Sequence, residues 1–336
     1  MIAIRLDANK DIATGHLMRC LVIACKLRDL GEACIFITAD KFSEQMLDNY
    51  GFESICLHSE YNRMENELAA LCETIKKLSI QKLLIDSYFV TPMYLSVLNQ
   101  LCKLIYIDDL HDFDYPVHLL INYNVYAEEL AYKQNGQKML LGPAYAPLRE
   151  QFQNIALMQR TEVKKILILA GGADTLNITG NLLEVTPYDE FEGIEFHVVA
   201  GILNPHYEML CKIMRKNAAI TIHKNVSDMA SLMCDCDIAI SAASSTVYEL
   251  CACAVPTVCF AFADNQLLMA KCLGENGIMI YSGDYRQSAQ ACFDRILDGI
   301  RIYKSNKELR KEISSKMKSI ADGKGGERIA REILEL

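Results

Sequence analysis

The stretch "RLDANKDIATGHLMRC", Arg5 to Cys20, runs an apolar strand into Asp7, crosses a polar loop, and opens a helix with Gly15 and His16. Imidazole is the side chain best suited to take a proton near neutral pH. A helix N-terminus favours the neutral ring, which is free to accept one. Gly15 reads as the residue that lets the loop turn tightly, so that His16 faces the crevice at the strand ends. Asp7 then orients the ring or holds a substrate. The same letters also describe a capping histidine beside a structural aspartate, and position alone does not separate the two.

Further candidates follow other strands. In "LAGGADTLN", residues 169–177, Gly171 and Gly172 let backbone approach a ligand, and the next helix start attracts an anion. Asp174 there reads as a nucleotide contact or as that helix's cap. In "SAASSTVYELC", residues 241–251, Ser244, Ser245 and Thr246 form a possible diphosphate cradle, with Glu249 one turn on to accept from ribose hydroxyls. The plainer alternative is a serine N-cap followed by a first-turn acid. Asn265 and Gln266 of "FADNQ" are neutral amides suited to sugar hydroxyls, or to a loop and cap. Asp86 and Tyr88, Asn122 and Asn124, and Tyr145 and Arg149 each sit just past a strand. Arg149 fits a diphosphate bidentately, or serves as a solvated charge. Asp108, Asp109, His111 and Asp112 gather acids in "YIDDLHDFD", but their spacing matches no metal-ligand motif, so no metal or cofactor is expected.

These residues need elements to hold them. Strands are expected at Met1–Ala8, Ala33–Thr38, Lys82–Asp86 and Lys103–Asp108, with helices at His16–Leu30, closed by Gly31, and at Asn62–Leu78. "LLINYN" and "KMLLGPAY" read as a last strand pair, and a linker follows. The rhythm restarts at Lys164 with "KKILILAGG", then "EFHVVAG", "AITIH", "DIAISA", "PTVCFAF" and "GIMIY", with helices from about Ser288. Repeated β-α-β units predict parallel sheets. The expected fold is α/β, two Rossmann-like domains facing a central cleft: residues 1–155 with the catalytic loop, 163–305 for the nucleotide, and C-terminal helices over 306–336.

Composition bounds the partners. The 336 residues suit about two domains, and with 51% apolar residues and a net charge of −9 the chain is globular with no basic patch for nucleic acid. The 14 cysteines include no Cys-x-x-Cys pair, which favours reduced, buried thiols in a cytoplasmic protein. No apolar run is long enough to insert into a membrane, and the immediate strand leaves no room for a targeting segment. A monomer is expected.

Taken in order, "RLDANKDIATGHLMRC", "LLIDSYFV", "IDDLH", "LLINYNVYA", "LGPAYAPLREQF", "LAGGADTLN", "ISAASSTVYELC" and "ADNQ" closely resemble the UDP-sugar hydrolase of pseudaminic acid biosynthesis. The resemblance covers residues 1 to about 285, and the Gly-His loop, "NYNVYA" and "LREQF" are its most specific parts. That family is itself similar to the two-domain GT-B glycosyltransferases, above all the enzyme adding N-acetylglucosamine to the lipid-linked peptidoglycan precursor. The resemblance implies metal-free hydrolysis of UDP-2,4-diacetamido-2,4,6-trideoxy-β-L-altropyranose to free sugar and UDP. It implies a general base at His16, substrate contacts at Arg149 and Asn265, and a uridine-ribose contact at Glu249. Two departures touch sugar recognition: Ser87 stands before Tyr88 where relatives often have histidine, and "LLMAKCL" after Gln266 is apolar.

The expected function is therefore inverting attack of water on the anomeric carbon, with His16 catalytic. Asp7, Gly15, Tyr88, Asn122, Tyr145, Arg149, Asn265 and Gln266 are assigned to the sugar. Gly171, Gly172, Asp174, Ser244, Ser245, Thr246 and Glu249 are assigned to the nucleotide. The rivals are a GT-B glycosyltransferase using the same UDP-sugar site, and a non-catalytic UDP-sugar-binding protein of surface polysaccharide assembly.

Overall fold

The computed structural model describes residues 1–9, 12, 14–158, 161–202 and 204–336; Lys10, Asp11 and Ala13 of the first loop lie outside them. The chain divides into two compact units, Met1–Leu148 with Lys324–Leu336, and Arg149–Gly323.

In the first unit the elements run β1 (Ile2–Leu6), α1 (Gly15–Asp29), β2 (Cys34–Thr38), α2 (Glu44–Asn49), β3 (Glu53–Cys56), α3 (Leu68–Lys77), β4 (Lys82–Asp86), α4 (Pro92–Asn99), β5 (Lys103–Ile107), β6 (Leu119–Asn122) and β7 (Lys138–Leu141). They form one seven-stranded sheet of order β3-β2-β1-β4-β5-β6-β7. Every pairing in it is parallel, for example Leu6 opposite Asp86 across β1 and β4. Strands covered on both faces read as continuous apolar runs, and β1 is buried along its whole length. Its one charge, Arg5, is fully buried.

Arg5 is paired rather than exposed. Its Nε and Nη2 donate to the two Glu67 oxygens at 2.6 and 2.9 Å, and its Nη1 donates to Asp7 at 2.5 Å. Tyr94 and Ser59 hydroxyls also donate to Glu67, so this carboxylate partner of the buried guanidinium is itself satisfied. Glu67 ends a 3-10 turn, Met64–Glu67, that precedes α3. The expected helix over Asn62–Leu78 is therefore a turn plus a shorter α-helix, because the loop must bring Glu67 under β1.

In the second unit come β8 (Lys165–Leu169), α5 (Ile178–Val185), β9 (Glu195–Ala200), α6 (Tyr207–Lys216), β10 (Ile220–Lys224), α7 (Met229–Asp235), β11 (Ile238–Ala242), α8 (Thr246–Ala252), β12 (Thr257–Ala261), α9 (Asp264–Glu275), β13 (Ile280–Asp284), α10 (Ala289–Ser305) and α11 (Lys307–Ile320). The six strands are ordered β10-β9-β8-β11-β12-β13, again parallel throughout. Each sheet thus repeats the doubly wound order, with its switch point between its first and fourth strands.

The last helix, α12 (Gly325–Glu335), belongs to the first unit and packs on α1. A Cβ at Gly326 would stand 2.7 Å from Val22, so only glycine permits this approach. Lys82 Nζ, at the start of β4, donates to the Ile333 and Leu334 carbonyls at 2.8 Å, satisfying the helix end. The segment 306–336, grouped as one set of helices by the sequence reading, therefore splits, α11 with the second unit and α12 with the first.

Candidate functional site

At the switch point of the first sheet, the ends of β1 and β4 and the start of α1 bring His16 and Asp86 together. His16 Nδ1 lies 2.5 Å from Asp86 Oδ1. Burial alone would push the Asp86 carboxyl up, but the Arg19 guanidinium and His16 outweigh it and hold the group well below the usual carboxylate range. An ionised carboxylate only accepts, so Nδ1 carries the proton and donates it, and in the neutral ring Nε2 bears the lone pair. Nε2 is buried and has no hydrogen-bond partner among the described residues. The Tyr88 and His16 rings lie 4.4 Å apart between centroids, nearly perpendicular.

Asp86 is held in turn. Arg19 Nε donates to its Oδ2 at 2.6 Å and Nη2 to its Oδ1, while Cys20 Sγ lies 3.4 Å from Oδ2. Arg19 Nη1 donates to the buried Tyr123 hydroxyl at 2.7 Å, and Nη2 also reaches Asp109 at 2.8 Å. Arg19 and Cys20 project from α1, one turn beyond His16, so a single helix carries the imidazole and the guanidinium that fixes its partner.

Asp7 lies one residue past β1. Burial pushes its carboxyl up, with Arg5 pulling against it, and its Oδ2 makes no hydrogen bond among the described residues. A polar atom buried without a partner is costly unless a ligand supplies one. Gly15 is corrected: it has no positive φ, begins α1 and is no tight turn. Among the described residues nothing lies within 4 Å of a Cβ built on it, so its value is open space beside His16.

The "NYN" run is scaffold. Asn122 donates to the Tyr132 hydroxyl at 2.7 Å, and its carbonyl oxygen accepts from the Asn124 backbone and side chain. Asp108 accepts from the Leu110 and His111 amides and from the Tyr115 and Tyr132 hydroxyls. Its acceptor capacity is spent on the loop. Asp109 instead faces Arg19, so the acids of "YIDDLHDFD" point to different partners. Among the described residues no group of three or more His, Cys, Asp or Glu is arranged to hold a metal ion. Tyr145 is half-buried in a short 3-10 turn, Pro143–Tyr145.

In the second unit the switch point lies between β8 and β11. Gly171, φ +85°, follows β8, and among the described residues a Cβ built on Gly172 would meet nothing within 4 Å. Close backbone packing instead falls on Gly201, whose Cβ would collide with the Gly172 carbonyl. Asp174 accepts from the Ile178 and Thr179 amides at 2.8 and 3.1 Å. The start of α5 is thus filled by its own carboxylate, which removes the expected anion site there and leaves Asp174 to capping.

The Ser-rich turn behaves oppositely. Ser245 stands at the N-cap of α8 but makes no side-chain cap bond, and among the described residues Ser244 Oγ reaches only Thr246 Oγ1, at 3.4 Å. These hydroxyls are not consumed by the helix, contrary to the plainer alternative. One turn in, Glu249 is paired with Arg149, Nη2 to Oε1 at 3.0 Å. Burial pushes the Glu249 carboxyl up and Arg149 opposes it. Arg149 also lies over the Phe152 ring at 5.3 Å. It begins the second unit, so it sits with the Ser-rich turn's glutamate and not with His16's unit, where the 1–155 boundary put it. Asn265 is exposed on the first turn of α9, while Gln266 is buried, its Oε1 accepting from the Phe262 amide at 3.0 Å.

The chain aligns with MurG of Acinetobacter baumannii at a TM-score of 0.69 and 13% identity, covering 100% of this chain and 99% of that one. It aligns with the spinosyn rhamnosyltransferase SpnG, complexed with thymidine diphosphate, at a TM-score of 0.71 and 14% identity, covering 100% of both chains. The fold is GT-B.

No protein-family model matches this GT-B chain. In sequence it is similar to the UDP-2,4-diacetamido-2,4,6-trideoxy-beta-L-altropyranose hydrolase of Campylobacter jejuni, 24% identical over 85% of this chain and 99% of that protein. It is 22% identical to a Helicobacter pylori protein named pseudaminic acid cytidylyltransferase and the same hydrolase, over 90% of this chain and 51% of that one. An uncharacterized Methanocaldococcus jannaschii protein is 26% identical over 76% of this chain and 54% of its own length. The chain thus spans about half the length of the last two relatives. Among the described residues no helix is long and apolar enough to cross a membrane.

Sequence reasoning weighed Asp86 only as one of several strand-end acids and assigned it no role. The sequence carries part of its signal, a strand-end aspartate and an arginine one turn beyond a histidine; the β1–β4 pairing that joins them comes from the sheet order.

Proposed function

We propose that the protein hydrolyses a UDP-linked 2,4-diacetamido-2,4,6-trideoxy hexose to free sugar and UDP, by inverting attack of water at the anomeric carbon, in pseudaminic acid biosynthesis. The observation that carries this is the His16–Asp86 pair, with Nδ1–H bonded to an ionised carboxylate and Nε2 unpaired. The likeness to the Campylobacter hydrolase over nearly all of both chains supports it.

His16 Nε2 takes a proton from water as its oxygen attacks the anomeric carbon, and the C–O bond to UDP breaks on the opposite face. The ring gains positive charge, which the ionised Asp86 stabilises at Nδ1–H. UDP is a good leaving group and needs no strong general acid. Gly171, Gly172, Ser244, Ser245 and Thr246 offer amides and hydroxyls to the diphosphate. Glu249 Oε2, left over from the Arg149 pair, accepts from a ribose hydroxyl. Asp7, Gly15, Tyr88, Tyr145 and Asn265 are left to the sugar; Asn122 and Gln266 shape its surroundings through the loops they tie down. The protein acts as a cytoplasmic monomer.

Glu249→Ala is expected to weaken UDP binding by about 1–3 kcal/mol, the cost of losing a buried acceptor. Unchanged affinity in calorimetry would move the uridine site elsewhere. The reaction needs no metal, so activity is expected to survive EDTA; a loss restored by magnesium or manganese would contradict this. The reading as a whole is tested by assaying UDP release from a panel of UDP-sugars with and without acceptor alcohols. Release from the diacetamido sugar without acceptor supports it. Release only with an acceptor makes the protein a transferase, and binding without release makes it a binding protein.

A further inference from the structure

Resting on the reading of His16 as the base, we propose that Asp109, acting through Arg19, is a positioning residue that sets the charge around the imidazole. Arg19 is 9% exposed, and its guanidinium bridges Asp86 and Asp109. With Asp86 alone, one buried cation would cancel one buried anion. The imidazolium formed by proton uptake would then add an uncompensated charge to a dry site.

Asp109 alters that balance. Two carboxylates against one guanidinium leave one negative charge while the ring is neutral, and none once it is protonated. The cluster is complementary to the state the reaction creates, which is where electrostatic preorganisation counts. Asp109 comes from the loop after β5, and its other oxygen lies 3.4 Å from Asn124 Nδ2. The neutral Tyr123 hydroxyl takes the remaining guanidinium edge. Burial pushes the Tyr123 phenol up, with Arg19 opposing, so the hydroxyl stays neutral and supplies no charge. The groups around His16 are thus Asp86 from β4, Arg19 and Cys20 from α1, Tyr88 from the loop after β4, and Asp7 at the end of the adjacent β1, with Asp109 and Tyr123 reached through Arg19.

Asp109→Asn keeps the shape and an acceptor for Arg19 but removes the charge. Its kcat is expected to fall about three- to tenfold with KM little changed, and the low-pH limb of kcat/KM to move to lower pH by about half a unit or more, since imidazolium is disfavoured. Asp109→Glu should restore both. A merely structural role would lower Tm and leave the limb in place. A folded Asp109→Asn with unmoved limb and wild-type kcat overturns the proposal, provided His16→Ala is inactive; if His16→Ala is active, the base assignment fails instead. Should Asp109→Asn not fold, Asn124→Ala, which loosens Asp109, is expected to move the limb in the same direction by less, and an unmoved limb there overturns the proposal equally.

Discussion

Replacing His16 with alanine or asparagine is expected to lower kcat by about 10²-fold or more, the usual scale for losing a general base. UDP binding should persist, because the proposed nucleotide contacts all lie in the second unit. The measurement is steady-state turnover of the UDP-sugar beside UDP calorimetry on the same preparation. A single hydrogen bond to UDP would give the opposite pattern, weaker binding with kcat intact. Turnover near wild type in either variant would remove the base from this position and leave Nε2 a buried nitrogen without a purpose.

Asp86→Asn is expected to cost more, about 10²–10⁴-fold in kcat, because an amide N–H presented to Nδ1 reverses the tautomer and puts the proton on Nε2. Stability is expected to drop as well, by about 3 kcal/mol, the low end for breaking a buried pair, since Asp109 still holds Arg19. The two effects separate by pH. A carboxyl held below its ordinary range in the folded state stabilises the protein above that range, and this contribution is lost as pH falls through the depressed value. The wild type should therefore lose part of its advantage over Asp86→Asn on acidification, read by denaturant unfolding at neutral and acidic pH. Wild-type turnover in a folded Asp86→Asn would refute the tautomer argument.

Much of the fold was legible because parallel strands announce themselves. β1, β4, β5, β8, β11 and β12 are apolar runs ending in loop residues, and the doubly wound order follows from their alternation with helices. What escaped was set by distant partners. The edge strand β3, Glu53–Cys56, is mixed in polarity and only half covered, so it carries no apolar run. β13 is Ile280–Asp284 and not "GIMIY", because Ile278 and Met279 close the preceding turn and the strand continues through Ser282 and Gly283. At the site, His16 was visible from its place at the start of a helix. Asp86 and Arg19 were not assigned roles, because only the β1–β4 pairing brings residue 86 beside residues 16 and 19. Asp174 was ambiguous for the reverse reason: a carboxylate before a helix serves a ligand or the helix itself, and only the two amide bonds decide.

The central claim is that water attacks carbon and not phosphorus. Turnover in ¹⁸O-labelled water, read by mass spectrometry of both products, tests it directly. The account requires the label in the free sugar and none in UDP, with the sugar first appearing by rapid NMR as the anomer opposite to the substrate's. Label in the terminal phosphate of UDP would mean that the bond to phosphorus breaks, and would contradict the account.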